Sequence, residues 1–256
     1  KNKRSFYVTI TQLNEVKETI DFGAWFDNWL DRSDPTLDTS TFALMVTLKT
    51  EREGVPGLVI DFSGIPLELF YRVSVTGSHK TSPISRPSVI LPVCTNENRI
   101  ANSMQTASNV DIIKFSETTE STEPVSFLEL SNCLLGDEVV KLPKAVSLVL
   151  NKGRIATTIP SNLIDYDSLR SIYIGGSYDY SNKGAWELLS RGLEGASNLR
   201  VVELDNVWAP MQIRLPEGLT DLHIKGNMVN HTIPDGLVSL SLIDLGMVGV
   251  QYLPEG

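Results

Sequence analysis

Cysteine, histidine and positive charge are all scarce in this chain, and each scarcity excludes a class of function. Two cysteines, Cys94 and Cys133, make no disulfide framework and cannot close a metal site between them. They read as buried thiols. The three histidines, His79, His223 and His231, do not fall in a metal-binding spacing such as HExxH. Lys and Arg number 22 against 31 Asp and Glu, a formal net charge of −9. That balance lacks the basic footprint of a nucleic-acid or anionic-membrane surface, and it favours neutral or basic partners. No apolar run approaches the roughly 18 residues of a membrane span. No signal-peptide pattern opens the chain. It starts at Lys1 without Met and stops on a turn motif, which together predict a piece of something longer.

Enzyme motifs are missing as well. The chain holds no Gly-x-Ser-x-Gly elbow and no Gly-rich phosphate loop ending in Lys-Ser or Lys-Thr. No cofactor is expected. Asn230-His231-Thr232 has the form of a glycosylation acceptor, a triplet common by chance. What the chain does have is apolar residues, 41 % of 256, enough for one large domain or two small ones.

These apolar residues recur with punctuation. Leu215-Pro216-Glu217-Gly218, Ile233-Pro234-Asp235-Gly236 and Leu253-Pro254-Glu255-Gly256 stand 18 and 20 residues apart. Behind the first lie Leu219, Leu222, Ile224 and Val229, and behind the second Leu237, Leu240, Leu242, Leu245 and Met247. Self-similarity at such a period marks stacked repeats. The alternation Leu222-His223-Ile224 fits a strand, and proline and glycine turn the chain after it. One such strand cannot bury its face alone, whereas stacked copies share a core.

The pattern resembles leucine-rich repeats of the short, proline-punctuated kind. The resemblance implies an α/β repeat solenoid with a curved parallel sheet, inward leucines, and Asn227 bonding the turning backbone. It implies recognition through the concave face and names no ligand.

Upstream, VSFLELSNCLL (Val125, Leu128, Leu130, Leu135) matches the whole spacing, with Cys133 at the asparagine position. AVSLVLNKGRI, LRSIYIGGS and LRVVELDNV follow, and Val110, Ile113 and Phe115 give a leading part. The first positions, 110, 125, 145, 169, 199, 219 and 237, are separated by 15, 20, 24, 30, 20 and 18 residues. The longest interval holds Gly184–Gly195, where Trp186, Leu189 and Leu193 predict a short helix facing the strands. Residues 106–256 are assigned to this array, truncated at its C-terminal end.

Residues 1–105 are assigned to a cap followed by degenerate repeats or a small mixed sheet. Phe22, Trp25, Phe26, Trp29 and Leu30 share one helical face, with Asp21 placed to cap it. That face reads as an N-terminal helical cap over the open core, because terminal repeats need covering; an exposed aromatic patch is the alternative. VPGLVIDFSGI places Val55, Leu58, Ile60 and Ile65 on the repeat spacing, though hairpin pairing is open. Residues 95–108 are polar and give no assignment.

Outward positions between inward ones give the candidate surface. They are Glu129, Val149, Tyr173, Glu203, His223 and Ser241, flanked by Phe127, Asn151, Arg170, Arg200, Asp205, Asp221, Lys225 and Asp244. Tyr173 with Tyr178 and Tyr180 forms an aromatic group of the kind that supplies contact area and a polar handle. The ligand-binding set chosen is Glu129, Tyr173, Tyr178, Arg200, Glu203 and His223. His223 with Asp221 and Glu203 could do acid–base work, but alternating charge on a sheet is more often plain surface.

The expected function is a non-catalytic recognition module that binds a protein, with a glycan as the other ligand, in adhesion or host contact. A secreted or cell-surface location is favoured over the cytoplasm. The alternatives are a scaffold or spacer, with self-association through an uncapped C-terminal end, and the targeting region of an enzyme whose catalytic domain lies elsewhere.

Overall fold

The computed structural model describes residues 7–12, 15–21, 24, 43–48, 58–65, 70, 72–77, 86–91, 103–116, 124–136, 138–152, 154–155, 162–176, 183–206, 213–226 and 233–243. In chain order the strands are β1 (Tyr7–Gln12), β2 (Glu15–Asp21), β3 (Ala43–Leu48), β4 (Leu58–Asp61), β5 (Arg72–Gly77), β6 (Ser88–Leu91), β7 (Met104–Ser108) and β8 (Asp111–Phe115). They continue with β9 (Val125–Ser131), β10 (Leu134–Leu135), β11 (Ala145–Asn151), β12 (Arg154–Ile155), β13 (Ser171–Gly175), β14 (Val201–Asp205), β15 (Asp221–Lys225) and β16 (Ser239–Ile243). One α-helix, α1 (Lys183–Gly195), lies between β13 and β14.

These strands form two sheets. The larger has nine strands in the order β3, β5, β7, β9, β11, β13, β14, β15, β16, every neighbouring pair parallel. The smaller has seven, in the order β2, β1, β4, β6, β8, β10, β12. Its β1 pairs antiparallel with both β2 and β4, and the remaining neighbours are parallel. From β3 to β12 the chain alternates between the sheets, one strand in each.

The register explains the core. Strand side chains alternate between faces, so in-register parallel strands stack inward residues in columns. One column runs Val73, Gln105, Leu128, Leu148, Ile172, Val202 and Leu222. All seven are buried. The next runs Val75, Ala107, Leu130, Leu150, Ile174, Leu204 and Ile224, equally buried. Val89 and Leu91 on β6 and Ile112 on β8 join the same hydrophobic cluster from the smaller sheet. Each fully buried Leu, Ile or Val contributes roughly 1.5–3 kcal/mol of transfer free energy.

The turns after β7, β9, β11, β13, β14 and β15 repeat one device. Asn109, Asn132, Lys152 and Asn206 stand directly after β7, β9, β11 and β14 with φ near +50°, and Gly176 and Gly226 occupy the same place after β13 and β15. Their N–H groups donate to the last carbonyl of the next strand, as in Asn132 to Asn151 at 2.7 Å and Asn206 to Lys225 at 2.6 Å. Asn and Gly tolerate this left-handed conformation best, so they bend the chain and extend the ladder together.

The family resemblance is therefore corrected. A leucine-rich-repeat solenoid needs one repeating strand-to-helix or strand-to-return unit along a single curved sheet. This chain has two separate sheets and, apart from the helical Ala24, one α-helix among the described residues, so neither the family label nor the curved solenoid applies. The physical reason is visible in the segments once read as successive repeats. Leu58–Asp61 and Asp111–Phe115 carry the repeat spacing but pair within the seven-stranded sheet. Alternation reports that one face is buried, and it does not report in which sheet. In β8 the inward residue is Ile112 rather than Ile113. β7 escaped notice because its inward residues are Gln105 and Ala107, not leucines.

The N-terminal helical cap is corrected too, since the chain opens with the antiparallel pair β1 and β2 at the edge of the smaller sheet. Of the predicted cap helix only Ala24 is described; it is helical, and its N–H donates to Asp21 Oδ1 at 2.9 Å, the capping bond expected of Asp21. Phe22, Trp25, Phe26, Trp29 and Leu30 lie outside the described residues, as do Asn227 and Cys94. Recognition of a partner by a concave repeat face, with its adhesion or host-contact role, loses the architecture it required. The scaffold and enzyme-targeting alternatives lose the repeat array they were attached to.

Candidate functional site

The outward face of the nine-stranded sheet carries a group of polar and aromatic side chains. Register places Thr106, Glu129, Val149, Tyr173, Glu203, His223 and Ser241 in one row across the strands. The row behind it is Ser108, Ser131, Asn151, Gly175, Asp205, Lys225 and Ile243. The row in front holds Phe127, Ser147, Ser171, Val201 and Asp221. Of the six residues chosen from sequence, Glu129, Tyr173, Glu203 and His223 thus share a row. Arg200 stands apart at the entrance to β14, its Nη1 donating to the carbonyls of Ser197 and Leu199. Tyr178 lies outside the described residues, as do Tyr180 and Asp244.

Tyr173 is set down on the sheet. A Cβ added to Gly175 would meet the Tyr173 hydroxyl oxygen at 2.3 Å and its Cε1 and Cζ at 2.5 Å. The ring therefore lies over the backbone of the glycine two residues on, in the space where any other residue would place a side chain. A glycine inside a strand commonly marks such a close approach. The hydroxyl donates to Asp205 Oδ2 on the next strand at 3.3 Å. Asp205 is itself held: Asn206 Nδ2 donates to its Oδ1 at 2.8 Å, and Lys225 Nζ lies 3.6 Å from the same oxygen. Burial raises the Tyr173 phenol above its ordinary pKa, and the charges of Asp205 and Glu203 and the bond to Asp205 add to the shift. The hydroxyl thus stays protonated at neutral pH.

Beside the ring lies a hollow of about 340 Å³, lined by Ser147, Val149, Asn151, Ser171, Tyr173 and Glu203 among others. Ser171 Oγ donates to Ser147 Oγ at 2.7 Å. The lining thus combines hydroxyls, an amide, a carboxylate and an aromatic ring. Of this lining the sequence pattern offers Val149, Asn151, Tyr173 and Glu203 as outward positions. It missed Ser147 and Ser171, whose role follows only from strand register, and Gly175, whose position two residues after a tyrosine in a strand was the available signal.

Among the described residues no hydrogen-bonded acid–base pair is seen on this face. Glu203 and His223 are direct neighbours across β14 and β15, yet no hydrogen bond joins them among the described residues. Asp221 instead accepts from Thr220 Oγ1 at 2.7 Å. Glu129 and Glu203 are three strands apart, roughly 14 Å at the usual 4.7–4.9 Å spacing. Carboxylate pairs in glycoside hydrolysis stand about 5–9.5 Å apart. Among the described residues no group of three His, Cys, Asp or Glu could hold a metal ion.

Cys133 is structural. Its Sγ lies 3.4 Å from the carbonyl oxygens of Ala107 and Ser131, and burial pushes the thiol up to about 12. A thiol so placed is not a nucleophile.

No protein-family model, no curated protein and no solved structure matches this chain.

Proposed function

We propose that the protein binds a carbohydrate in the hollow beside Tyr173 on the outward face of the nine-stranded sheet. The reading draws nothing from repeat curvature or family. It rests on the phenol ring held over Gly175 and pinned by Asp205, next to hydrogen-bonding side chains. A sugar ring has an apolar C–H face that packs on an aromatic surface, and hydroxyls around its edge that both donate and accept. The hollow offers the same division. Tyr173 and Val149 supply apolar contact, Glu203 accepts, and Asn151, Ser147 and Ser171 can do both. Because the platform is fixed before binding, little ordering cost falls on the protein. A volume of about 340 Å³ lies at the low end of the 300–1,000 Å³ typical of small-ligand sites, which suits one or two sugar units.

The experiment is a saccharide array probed with the wild type, Tyr173→Ala and Glu203→Gln, followed by titration calorimetry on whatever sugar is retained. Loss of affinity of at least about tenfold in both variants, with unchanged thermal unfolding, is the expected result; a tenfold loss equals about 1.4 kcal/mol. An array with no retained sugar, or binding indifferent to both substitutions, would overturn the reading.

A further inference from the structure

A second depression, independent of the first, lies at the opposite end of the fold from β3. We propose that it docks a partner polypeptide through a basic residue set beside an apolar one. The depression measures about 620 Å³ and opens between the last turn of α1 and the segments that lead into β15 and β16. Its apolar lining is the half-buried Leu215 and Pro234, set over the fully buried Ile213.

The walls are charged, and their charges do not balance. Arg214 Nη1 sits 3.1 Å from Glu194 Oε2 on α1, so this cation is already engaged. The Arg214 N–H also donates to Ser190 Oγ at 2.8 Å, and Ser190 is buried, which ties this wall to the helix. The lining also carries Glu217 and Asp235. They occupy equivalent places in two successive turns, Leu215-Pro216-Glu217-Gly218 and Ile233-Pro234-Asp235-Gly236, whose strands pair side by side. Neither carboxylate has an ion-pair partner among the described residues. The repeat of the turn sequence thus sets two exposed like charges in the lining, a disposition that a cationic side chain from outside would relieve.

The chemistry selects the occupant. Leu215 and Pro234 offer contact to an apolar side chain, and the carboxylates of Glu217 and Asp235 disfavour an acidic or purely apolar segment. The volume exceeds what one side chain fills. A segment that places Leu, Ile or Met against Leu215 and Pro234, with Lys or Arg beside it reaching Glu217 and Asp235, satisfies both features. The chain's net charge of −9 would further speed its encounter with such a segment.

The test uses the full chain and labelled peptides in fluorescence anisotropy. The first peptide carries Leu flanked by Lys and Arg. A second replaces the Leu with Ser, and a third replaces the basic residues with Glu. The first peptide is expected to bind, with affinity at least tenfold above the other two. Glu217→Gln combined with Asp235→Asn should weaken it at least tenfold, and Tyr173→Ala should leave it unchanged. Equal binding of the Leu and Ser peptides would reveal charge adsorption alone and overturn the proposal. So would no binding of the first peptide, or unaltered binding by the double variant with a wild-type melting curve. Should that double variant melt early, Glu217→Lys alone serves as the second probe, and retained affinity in it overturns the proposal as well.

Discussion

Asp111 shows how a single side chain couples the two sheets to pH. It opens β8, where its N–H donates to the Pro87 carbonyl at 2.9 Å. Its Oδ1 is buried without a hydrogen-bond partner. The nearby Arg86 is committed elsewhere: Nη1 donates to the Asn132 carbonyl at 2.8 Å and Nη2 to Asn132 Oδ1 at 2.9 Å. Asn132 Nδ2 then donates to Asn109 Oδ1 at 2.6 Å, linking two of the left-handed turns. Burial raises the Asp111 carboxyl above its ordinary 3.8, and Arg86 offsets only part of that rise. The unfolded chain therefore releases this proton more readily than the folded one. Stability from this group is fully present below the unfolded value and is lost as pH rises through the folded one. Asp111→Asn has no charge to release. Its urea midpoint, compared with the wild type, should shift in the variant's favour between about pH 3 and about pH 7. A difference that stays constant or moves the other way would show that Arg86, not burial, governs this carboxyl.

At the scale of elements, much was open to reading and much was not. The inward positions of β9, β11, β13, β14 and β15 are legible in the sequence, because Leu, Ile and Val recur there at every second position. The helix was anticipated from Leu189 and Leu193, both buried, while the side chain of Trp186 lies outside the described residues. What could not be read was partnership. A short strand in the smaller sheet has the same alternation as one in the larger, and β7 hides its inward face behind Gln105 and Ala107. The hollow shared this limit, since Tyr173 and Glu203 were picked but Ser147 and Ser171 meet them only through register. The seat of α1 was equally hidden. A Cβ on Gly192 would come within 2.1 Å of the Tyr166 ring, so the helix rests on that ring through a missing side chain. Gly195, by contrast, has nothing within 4 Å of its added Cβ, and its φ is not left-handed. Two alanine substitutions three residues apart should therefore have opposite signs. Gly192→Ala should lower the unfolding free energy by about 1–3 kcal/mol through overpacking. Gly195→Ala should raise it by about 0.4–1 kcal/mol by reducing the freedom of the unfolded chain. Urea unfolding of both variants checks the pair, and equal signs would mean that α1 is not seated on Tyr166.

Across the whole molecule, the same columns that make the core also end it unevenly. Leu222 on β15 is fully buried, whereas Leu240, its in-register neighbour on β16, is 37 % exposed. Val238 and Ile243 beside it are exposed as well. At the other end of the sheet Met45 on β3 is exposed while Leu44 is buried. Parallel pairing gives each interior strand two hydrogen-bonded neighbours and each edge strand one, so resistance to local opening should rise from both edges towards the middle. Burial should skew that profile, because the β16 end keeps less of its apolar surface from water than the β3 end. Native-state hydrogen exchange read by peptide mass spectrometry should therefore find the slowest amides in β9, β11 and β13. Exchange should be faster in β3 and fastest in β16. Protection in β16 equal to that in β11 would contradict this order, and would mean that another strand, from this chain or a second copy, pairs along that edge.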